Sequence, residues 1–293
     1  MWKRCLGILC LVTIISVRAQ SQELKSHQIY DQQKQPVTFS EMAEALKGYD
    51  VILFGEFHNN PVIHWIQLRL TQELYQQSED LVLGAEMLEA DNQLILDEYF
   101  EGLIDNKRFE AEMRLWPNYS TDYKPLVEFA RNNNLKFVAT NIPRRYASLV
   151  SKQGLESLDS LSELAQTYIA PLPIEVDTLT PGYGEMFDMM KRHSSQGMEP
   201  INFIAAQAVK DATMAHFING NLPAEGVFIH FNGDYHSKQF GGIYWYLTRL
   251  NPSLEIAVIA VFEDPEETLD FPENEEHPAT FSIVVPSSFT KTH

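Results

Sequence analysis

Cysteine is almost absent from this 293-residue chain. It occurs at Cys5 and Cys10, both near the N-terminus, and nowhere beyond them. Residues 20–293 can therefore form no disulfide and no cysteine-ligated zinc site, and they offer no thiol nucleophile. A chain of this length buries enough surface to fold without such cross-links.

Basic residues are also scarce. Lys and Arg together number 22 against 40 Asp and Glu, which gives a formal net charge of −18. Such a surface repels phosphate backbones and anionic membranes, so we expect no nucleic-acid partner. Gly/Ser-rich linkers, Pro-rich linkers and internal repeats are missing as well. We therefore predict one domain over residues 37–293.

The N-terminal segment has the pattern of a secretory signal peptide. Lys3 and Arg4 precede an apolar run from Cys5 to Val17, and Ala19 provides a cleavage site after residues 1–19. The run is shorter than the roughly 20 residues of a membrane-spanning helix, so the mature chain is expected to have no transmembrane segment. Cys10 lacks the preceding small residue that lipidation requires. We expect an exported, periplasmic or secreted protein without a lipid anchor.

Apolar runs of strand length alternate with segments of helical periodicity after a polar lead-in over residues 20–36. The five runs predicted as strands are VILF, DLVLGAEML, LKFVATNIP, EGVFIHFNGDYH and LEIAVIAVFE. This alternation predicts an α/β fold with a mostly parallel, helix-covered sheet. A helical insertion at about residues 155–225 separates the third and fourth strands. The acidic segment 263–278 is expected to be solvated, and TFSIVVP to form an edge strand.

Polar residues follow four of these strands at their carboxyl ends, where parallel sheets bind ligands. They are Glu56, His58, Glu86, Asn141, Asp234 and His236. Two carboxylates and two imidazoles, Glu56, His58, Glu86 and His236, could ligate a divalent metal or activate water. The alternative is that these ends are polar because the chain is leaving the core.

The helices offer further side chains that could support such a site. His64 follows His58 on the first helix, and Gln207 and Asp211 lie on a helix of the insertion. The alternatives are a satisfied, half-buried histidine at His64 and a surface ion pair with Lys210 or a neighbouring segment at Asp211. Tyr183, between two glycines, offers an accessible phenol, and Met186 could cover a flat apolar ligand, although methionine-rich faces more often pack in a core.

Several blocks together resemble one known family. They are ILFGEFHNNPVIHWIQL, LGAEML, YKPLVEFARNNNLKFVATNIPRR, FIAAQAVKDATMAHFI and FNGDYHSKQFGGI, and they occur in order over about residues 48–251. The chain resembles the ChaN-like iron-regulated haem-binding proteins of the Tiki superfamily. The resemblance implies an α/β fold with two G-x-x-H motifs at the sheet edge, which here are GEFH and GDYH.

The resemblance also implies a cofactor and an assembly. ChaN-like proteins hold haem between two protomers through a tyrosine ligand, so haem and a homodimer are expected. Tyr183 is the first candidate ligand, Tyr123 the second, and Met186 a candidate haem contact. Superfamily enzymes use His and Glu residues for metal binding or water activation, which implies that role for Glu56, His58, Glu86 and His236.

Three hypotheses follow. The first is an exported haem- or iron-binding protein acting in haem or iron acquisition. The second is a metal-dependent hydrolase, of peptidase or esterase type, that uses the Glu/His site. The third is a non-catalytic scaffold that binds a protein partner.

Overall fold

The computed structural model describes residues 24–77, 80–193, 199–273, 275 and 279–293. The predicted signal peptide, the start of the polar lead-in and residues 274 and 276–278 of the acidic segment lie outside these ranges. Within them, no helix combines the length and the apolar character needed to cross a bilayer.

Within the part of the chain that the structure describes, eight strands form one sheet. They are β1 (Gln28–Asp31), β2 (Pro36–Val37), β3 (Val51–Glu56), β4 (Leu81–Glu89), β5 (Lys136–Asn141), β6 (Val227–Gly233), β7 (Ile256–Asp264) and β8 (Phe281–Pro286). Their order across the sheet is β2-β1-β8-β7-β3-β6-β4-β5. The pairings from β8 to β5 are parallel, and those of β1 with β2 and with β8 are antiparallel. The predicted mostly parallel sheet is confirmed.

Ten α-helices lie in the described ranges. They are α1 (Phe39–Leu46), α2 (Pro61–Gln77), α3 (Gln93–Phe100), α4 (Asn106–Glu112), α5 (Lys124–Asn132), α6 (Arg144–Gln153), α7 (Glu163–Gln166), α8 (Tyr183–His193), α9 (Pro200–Asn219) and α10 (Ile243–Leu250). The predicted insertion corresponds to α7, α8 and α9 with the turns around them. A π-helical turn, Tyr119–Tyr123, precedes α5.

The helices cover both faces of the sheet and create two hydrophobic cores. Alternate residues of β3 show the division, because Ile52 and Phe54 pack in one core, and Val51 and Leu53 in the other. Helices α1, α2, α3 and α5 contribute to the first core, and α6, α9 and α10 to the second. All six residues of β3 are buried, as expected of a parallel strand covered on both faces, which reads as a continuous apolar run.

The register of β3 and β6 brings the two G-x-x-H motifs together. Gly55 lies opposite Asn232, and Glu56 lies opposite Gly233. Both strands are parallel, so the motifs leave the sheet at the same edge and from adjacent positions. This pairing joins segments that are far apart in the chain.

Two expectations about the sheet margin were wrong. TFSIVVP forms β8, which lies between β7 and β1 rather than at the edge. The reason is that part of the predicted polar lead-in is a strand: β1 pairs with β8, and its Ile29 and Tyr30 are buried. Two adjacent apolar residues in the short segment QIYD, which pack in different hydrophobic clusters, are enough to add it to the sheet.

Candidate functional site

A cleft of about 950 Å³ opens at the carboxyl ends of the central strands. Its walls come from the carboxyl-terminal parts of β3, β4, β5 and β6, from turns that follow them, and from helices α6, α8 and α9. Among the predicted residues, the cleft is lined by Glu56, His58, Glu86, Asn141, Met186, Gln207, Asp234 and His236. The strand-end residues chosen from the sequence therefore lie together around one concave surface.

Glu56, which is buried, and His58 form a hydrogen-bonded pair at the end of β3. The Nδ1 atom of His58 donates to Glu56 Oε1 at 2.9 Å, while Tyr123 donates to the same oxygen at 2.7 Å. Gln67 donates to Glu56 Oε2 at 2.8 Å. Burial raises the pKa of Glu56, but the charges of His64 and His58 and the hydrogen bonds from His58 and Gln67 outweigh it and hold the pKa below its usual range.

The imidazole of His58 is the exposed member of this pair. Its side chain is 41% exposed, and its ring packs edge-on against Trp116 with centroids 4.8 Å apart. Burial lowers the pKa of His58, but the hydrogen bond to Glu56 and the charge of Glu86 raise it overall. His58 thus presents an oriented imidazole to the cleft.

The glycines of the two motifs accommodate each other's polar residues. A Cβ atom on Gly55 would lie 2.7 Å from Asp234 Oδ1, and one on Gly233 would lie 2.9 Å from His58 Nε2. Real Cβ contacts are longer than this. Each motif therefore needs its glycine because a side chain of the other motif occupies that space.

His236 is held between two carboxylates. Its Nε2 atom lies 3.1 Å from Glu86 Oε1, and its Nδ1 atom contacts Asp211 Oδ1. Burial lowers the pKa of His236, but both carboxylates outweigh it and raise the pKa to about 10. Glu86 also accepts a bond from the main-chain N–H of Gly233 at 2.7 Å, and its pKa is far below the usual range, since its partners outweigh the effect of burial. The group is a carboxylate–imidazolium–carboxylate triad.

The expectation of an accessible Tyr183 phenol was wrong. Tyr183 is 1% exposed, because α8 packs it against α9, where its hydroxyl donates to Asp211 Oδ2. Tyr123 is also buried, and its hydroxyl donates to Glu56. Burial and these carboxylates raise the pKa of both phenols. Neither tyrosine lines the cleft.

The remaining predicted residues are mostly buried and hydrogen-bonded. Asn141 donates to the main-chain carbonyl of Glu86 at 2.9 Å, and Gln207 lies 2.9 Å from Nδ1 of His236. Asp234 accepts from the main chain of Val261 at 3.1 Å, and burial raises its pKa to about 6. These residues support the site from within the protein.

The four Glu and His residues do not form a metal site in this arrangement. Each carboxylate is already satisfied by an imidazole, a hydroxyl or an N–H group. Within the described ranges, no group of three or more His, Cys, Asp or Glu side chains is placed to hold a metal ion. The donor set fits two ion-paired clusters better than a metal centre.

Several residues of the site were missed by reasoning from the sequence. Trp116, Arg144, Lys210 and Tyr235 line the cleft, and Asn118 donates to the main-chain carbonyl of His58 at 2.6 Å. Arg144 follows the strand end at Asn141, and Tyr235 lies inside the second G-x-x-H motif, so both had a local signal. The positions of Trp116 and Asn118 depend on a loop that packs against β3 from a distant part of the chain.

Solved structures of other proteins are similar to this chain to different degrees. A solved structure described as cofacial haem binding to ChaN of Campylobacter jejuni has a TM-score of 0.67 and 20% identity to this chain, covering 89% of this chain and 97% of that one. An erythromycin esterase in its open conformation has a TM-score of 0.44 and 13% identity, covering 88% of this chain and 83% of that one.

A plant protein and a family model also match. Protein RETICULATA-RELATED 5, chloroplastic, from Arabidopsis thaliana is 24% identical over 161 residues, or 51% of this chain, and the chain spans 21% of the length of that relative. The family model described as haem-binding uptake, Tiki superfamily, ChaN matches residues 42–247, which is more than half of the chain. With the fold and both G-x-x-H edges in place, the chain belongs to the ChaN family of the Tiki superfamily.

Proposed function

We propose that this chain is an exported haem-binding protein that takes part in haem or iron uptake, and that haem binds in the cleft. The observation that carries the proposal is the cleft itself. It has the volume of a small-molecule site, an apolar lining and convergent polar groups. It lies in a chain whose family is described as haem-binding.

The apolar lining of the cleft fits a flat, aromatic ligand. Phe57 and Trp116 line it on the β3 side, and Met186 and Phe203 line it on the side of α8 and α9. Aromatic and thioether side chains pack well against a planar apolar surface. The haem contact predicted for Met186 from the sequence therefore stays part of the proposal.

Tyr235 is the best candidate for the iron ligand. It lines the cleft and is 55% exposed, whereas Tyr183 and Tyr123 are buried and donate to carboxylates. The ammonium of Lys238 lies 3.8 Å from the centroid of its ring, which holds the ring by a cation–π contact. Bound haem supplies an iron centre, and tyrosine is one of its known protein ligands.

Two cationic residues can bind the haem carboxylates. Arg144 and Lys210 line the cleft, and the side chain of Arg144 is 61% exposed. A guanidinium binds a carboxylate with good geometry, and an ammonium adds a point charge. In a protein with a net charge of −18, cations at this position favour an anionic ligand group.

Haemin titration of the purified protein tests the proposal. We expect a saturable visible spectrum, and Tyr235→Phe should weaken binding by at least the roughly 10–100-fold that loss of an outer-shell partner causes. Tyr183→Phe and Tyr123→Phe are matched controls that remove a buried hydroxyl, and they should keep the iron-ligand bands. Absence of saturable binding by the wild type would refute haem binding. If haemin binding were lost in Tyr183→Phe alone, Tyr183 would be the iron ligand instead of Tyr235.

We also propose that a homodimer forms around the haem and that the chain is exported. The resemblance to ChaN-like proteins and the N-terminal pattern of residues 1–19 support these two points. Sedimentation velocity with and without haemin tests the dimer, which should form only in the haemin-loaded sample. Cell fractionation with N-terminal sequencing tests export and cleavage, and an intact N-terminus in the cytoplasmic fraction would contradict both.

A metal-free hydrolase is the second candidate function. The observation that favours it is the oriented imidazole of His58, because a buried carboxylate on one ring nitrogen is typical of a general base. Hydrolysis of 4-nitrophenyl butyrate should then fall in His58→Gln and persist in His216→Gln, which changes a histidine that does not line the cleft. Equal rates in both variants would exclude this function. If haem binding also failed, a non-catalytic scaffold would be favoured.

A further inference from the structure

His64 occupies a buried position beneath the turn that carries His58. It lies on α2, its side chain is 4% exposed, and it does not line the cleft. Two buried carboxylates flank it, since Glu56 Oε2 and Asp122 Oδ2 each lie 3.7 Å from one of its ring nitrogens. The charge state of this ring therefore matters for the site above it.

The first ring nitrogen must carry a hydrogen. Nε2 of His64 lies 3.1 Å from the main-chain carbonyl oxygen of His58. A carbonyl oxygen only accepts, so this contact is a hydrogen bond only if Nε2 donates. The carboxylate of Asp122 lies on the same side of the ring and adds a second acceptor.

The second ring nitrogen must carry a hydrogen as well. Nδ1 of His64 lies 3.1 Å from Gln67 Oε1. The orientation of the Gln67 amide is fixed, because its Nε2 atom donates to the Glu56 carboxylate at 2.8 Å. Gln67 therefore turns its oxygen, an acceptor, toward His64. A neutral imidazole has one N–H, so a ring that donates from both nitrogens is an imidazolium.

We infer that His64 is a buried imidazolium that keeps Glu56 ionised and thereby fixes which ring nitrogen His58 turns to the cleft. Glu56 and Asp122 are 0% and 2% exposed at their side chains, and buried charges persist only when they are paired. Asn118 and Thr292 also donate to Asp122, and Tyr123 donates to Glu56. Because these donors are neutral, His64 is the group that supplies the positive charge.

The tautomer of His58 follows from the charge of Glu56. An ionised Glu56 accepts from Nδ1–H of His58, which leaves Nε2 as the nitrogen with a lone pair beside the cleft. A protonated Glu56 could instead donate to Nδ1 and move the hydrogen of His58 to Nε2. His64 also donates to the carbonyl of His58, together with Asn118 at 2.6 Å. His64 is a positioning residue, and this role does not depend on the identity of the ligand.

Nitrogen-15 NMR of histidine-labelled protein at neutral pH tests the inference. We expect the imidazolium pattern at His64, with two protonated nitrogens. As the pH is raised, the His58 ring should lose the hydrogen on Nε2 and keep the hydrogen on Nδ1. In His64→Gln the His58 signal should move toward the Nε2–H form. His216→Gln, the same substitution on α9, should leave the His58 signal unchanged.

Either of two results would overturn the inference about His64. One is a single protonated nitrogen at His64 in the wild-type spectrum. The other is an unaltered His58 pattern in a folded His64→Gln variant, with folding checked by circular dichroism. Should His64→Gln fail to fold, the wild-type spectrum still decides the charge state. Haemin binding enters neither measurement, so failure of the proposed function and failure of this inference are distinguishable.

Discussion

Replacing Gly233 by alanine should displace His58 and leave the fold largely intact. The new Cβ atom would lie 2.9 Å from both Cε1 and Nε2 of the His58 ring and 3.4 Å from Glu86 Oε2. Gly233 has φ −54° and ψ 140°, which alanine adopts without strain. The effect of the substitution therefore comes from the occupied space and not from the backbone.

The loss of free energy of unfolding in Gly233→Ala follows from these contacts. The ring of His58 is 41% exposed, so it can swing into the cleft, but it then loses its bond to the Glu56 carboxylate. A hydrogen bond to a charged group contributes about 1.5–3 kcal/mol. Alanine offsets roughly 0.4–1 kcal/mol of this by restricting the unfolded chain. We expect a net loss of about 1–2 kcal/mol in the free energy of unfolding.

Alanine substitutions at two other glycines serve as comparisons for Gly233→Ala. In Gly55→Ala the Cβ atom would lie 2.8 Å from the main-chain oxygen of Ile259, which cannot swing away, so overpacking of about 1–3 kcal/mol is expected. In Gly48→Ala the nearest atom is 3.8 Å away, so only the restriction of the unfolded chain acts, and stability should rise by roughly 0.4–1 kcal/mol.

Urea unfolding gives the three free energies, and the His58 ring signals report its position. A Gly233→Ala protein with wild-type His58 signals and the stability of Gly48→Ala would refute the reasoning.

Three further predictions concern neighbouring features. His236→Gln should lower the free energy of unfolding by about 3–5 kcal/mol, measured in urea, because it leaves Glu86 and Asp211 buried without their cation. Since the pKa of His236 is raised to about 10 from 6.5, its stabilisation should be complete below pH 6.5 and be lost as the pH rises toward 10. Urea midpoints across this range should fall in the wild type, and a slope of equal size in His236→Gln would contradict the assignment. Gln93→Leu should speed amide hydrogen exchange at Ala139, because the N–H of Ala139 donates to the Gln93 side chain at 2.7 Å. Ala139 lies on β5, at the edge of the sheet. Unchanged exchange would show that another group protects this N–H.

Much of the fold follows from local patterns in the sequence. The runs VILF and LEIAVIAVFE become β3 and β7, and the helices predicted to carry His64 and Asp211 become α2 and α9. These patterns are informative because each reflects burial on both faces of a sheet or on one side of a helix. The edge position predicted for β8 was wrong because the short strand β1 has too few residues to be recognised by its pattern.

The sequence by itself determined the alternation of strands and helices and the strand ends at which Glu56, His58, Glu86 and His236 stand. These are properties of neighbouring residues, and hydrophobic periodicity records them. Only the tertiary structure decided which carboxylate pairs with which imidazole and that the Tyr183 phenol is buried. It alone placed His64 between two carboxylates. Such contacts join side chains from distant segments, and their distances depend on how helices pack against the sheet.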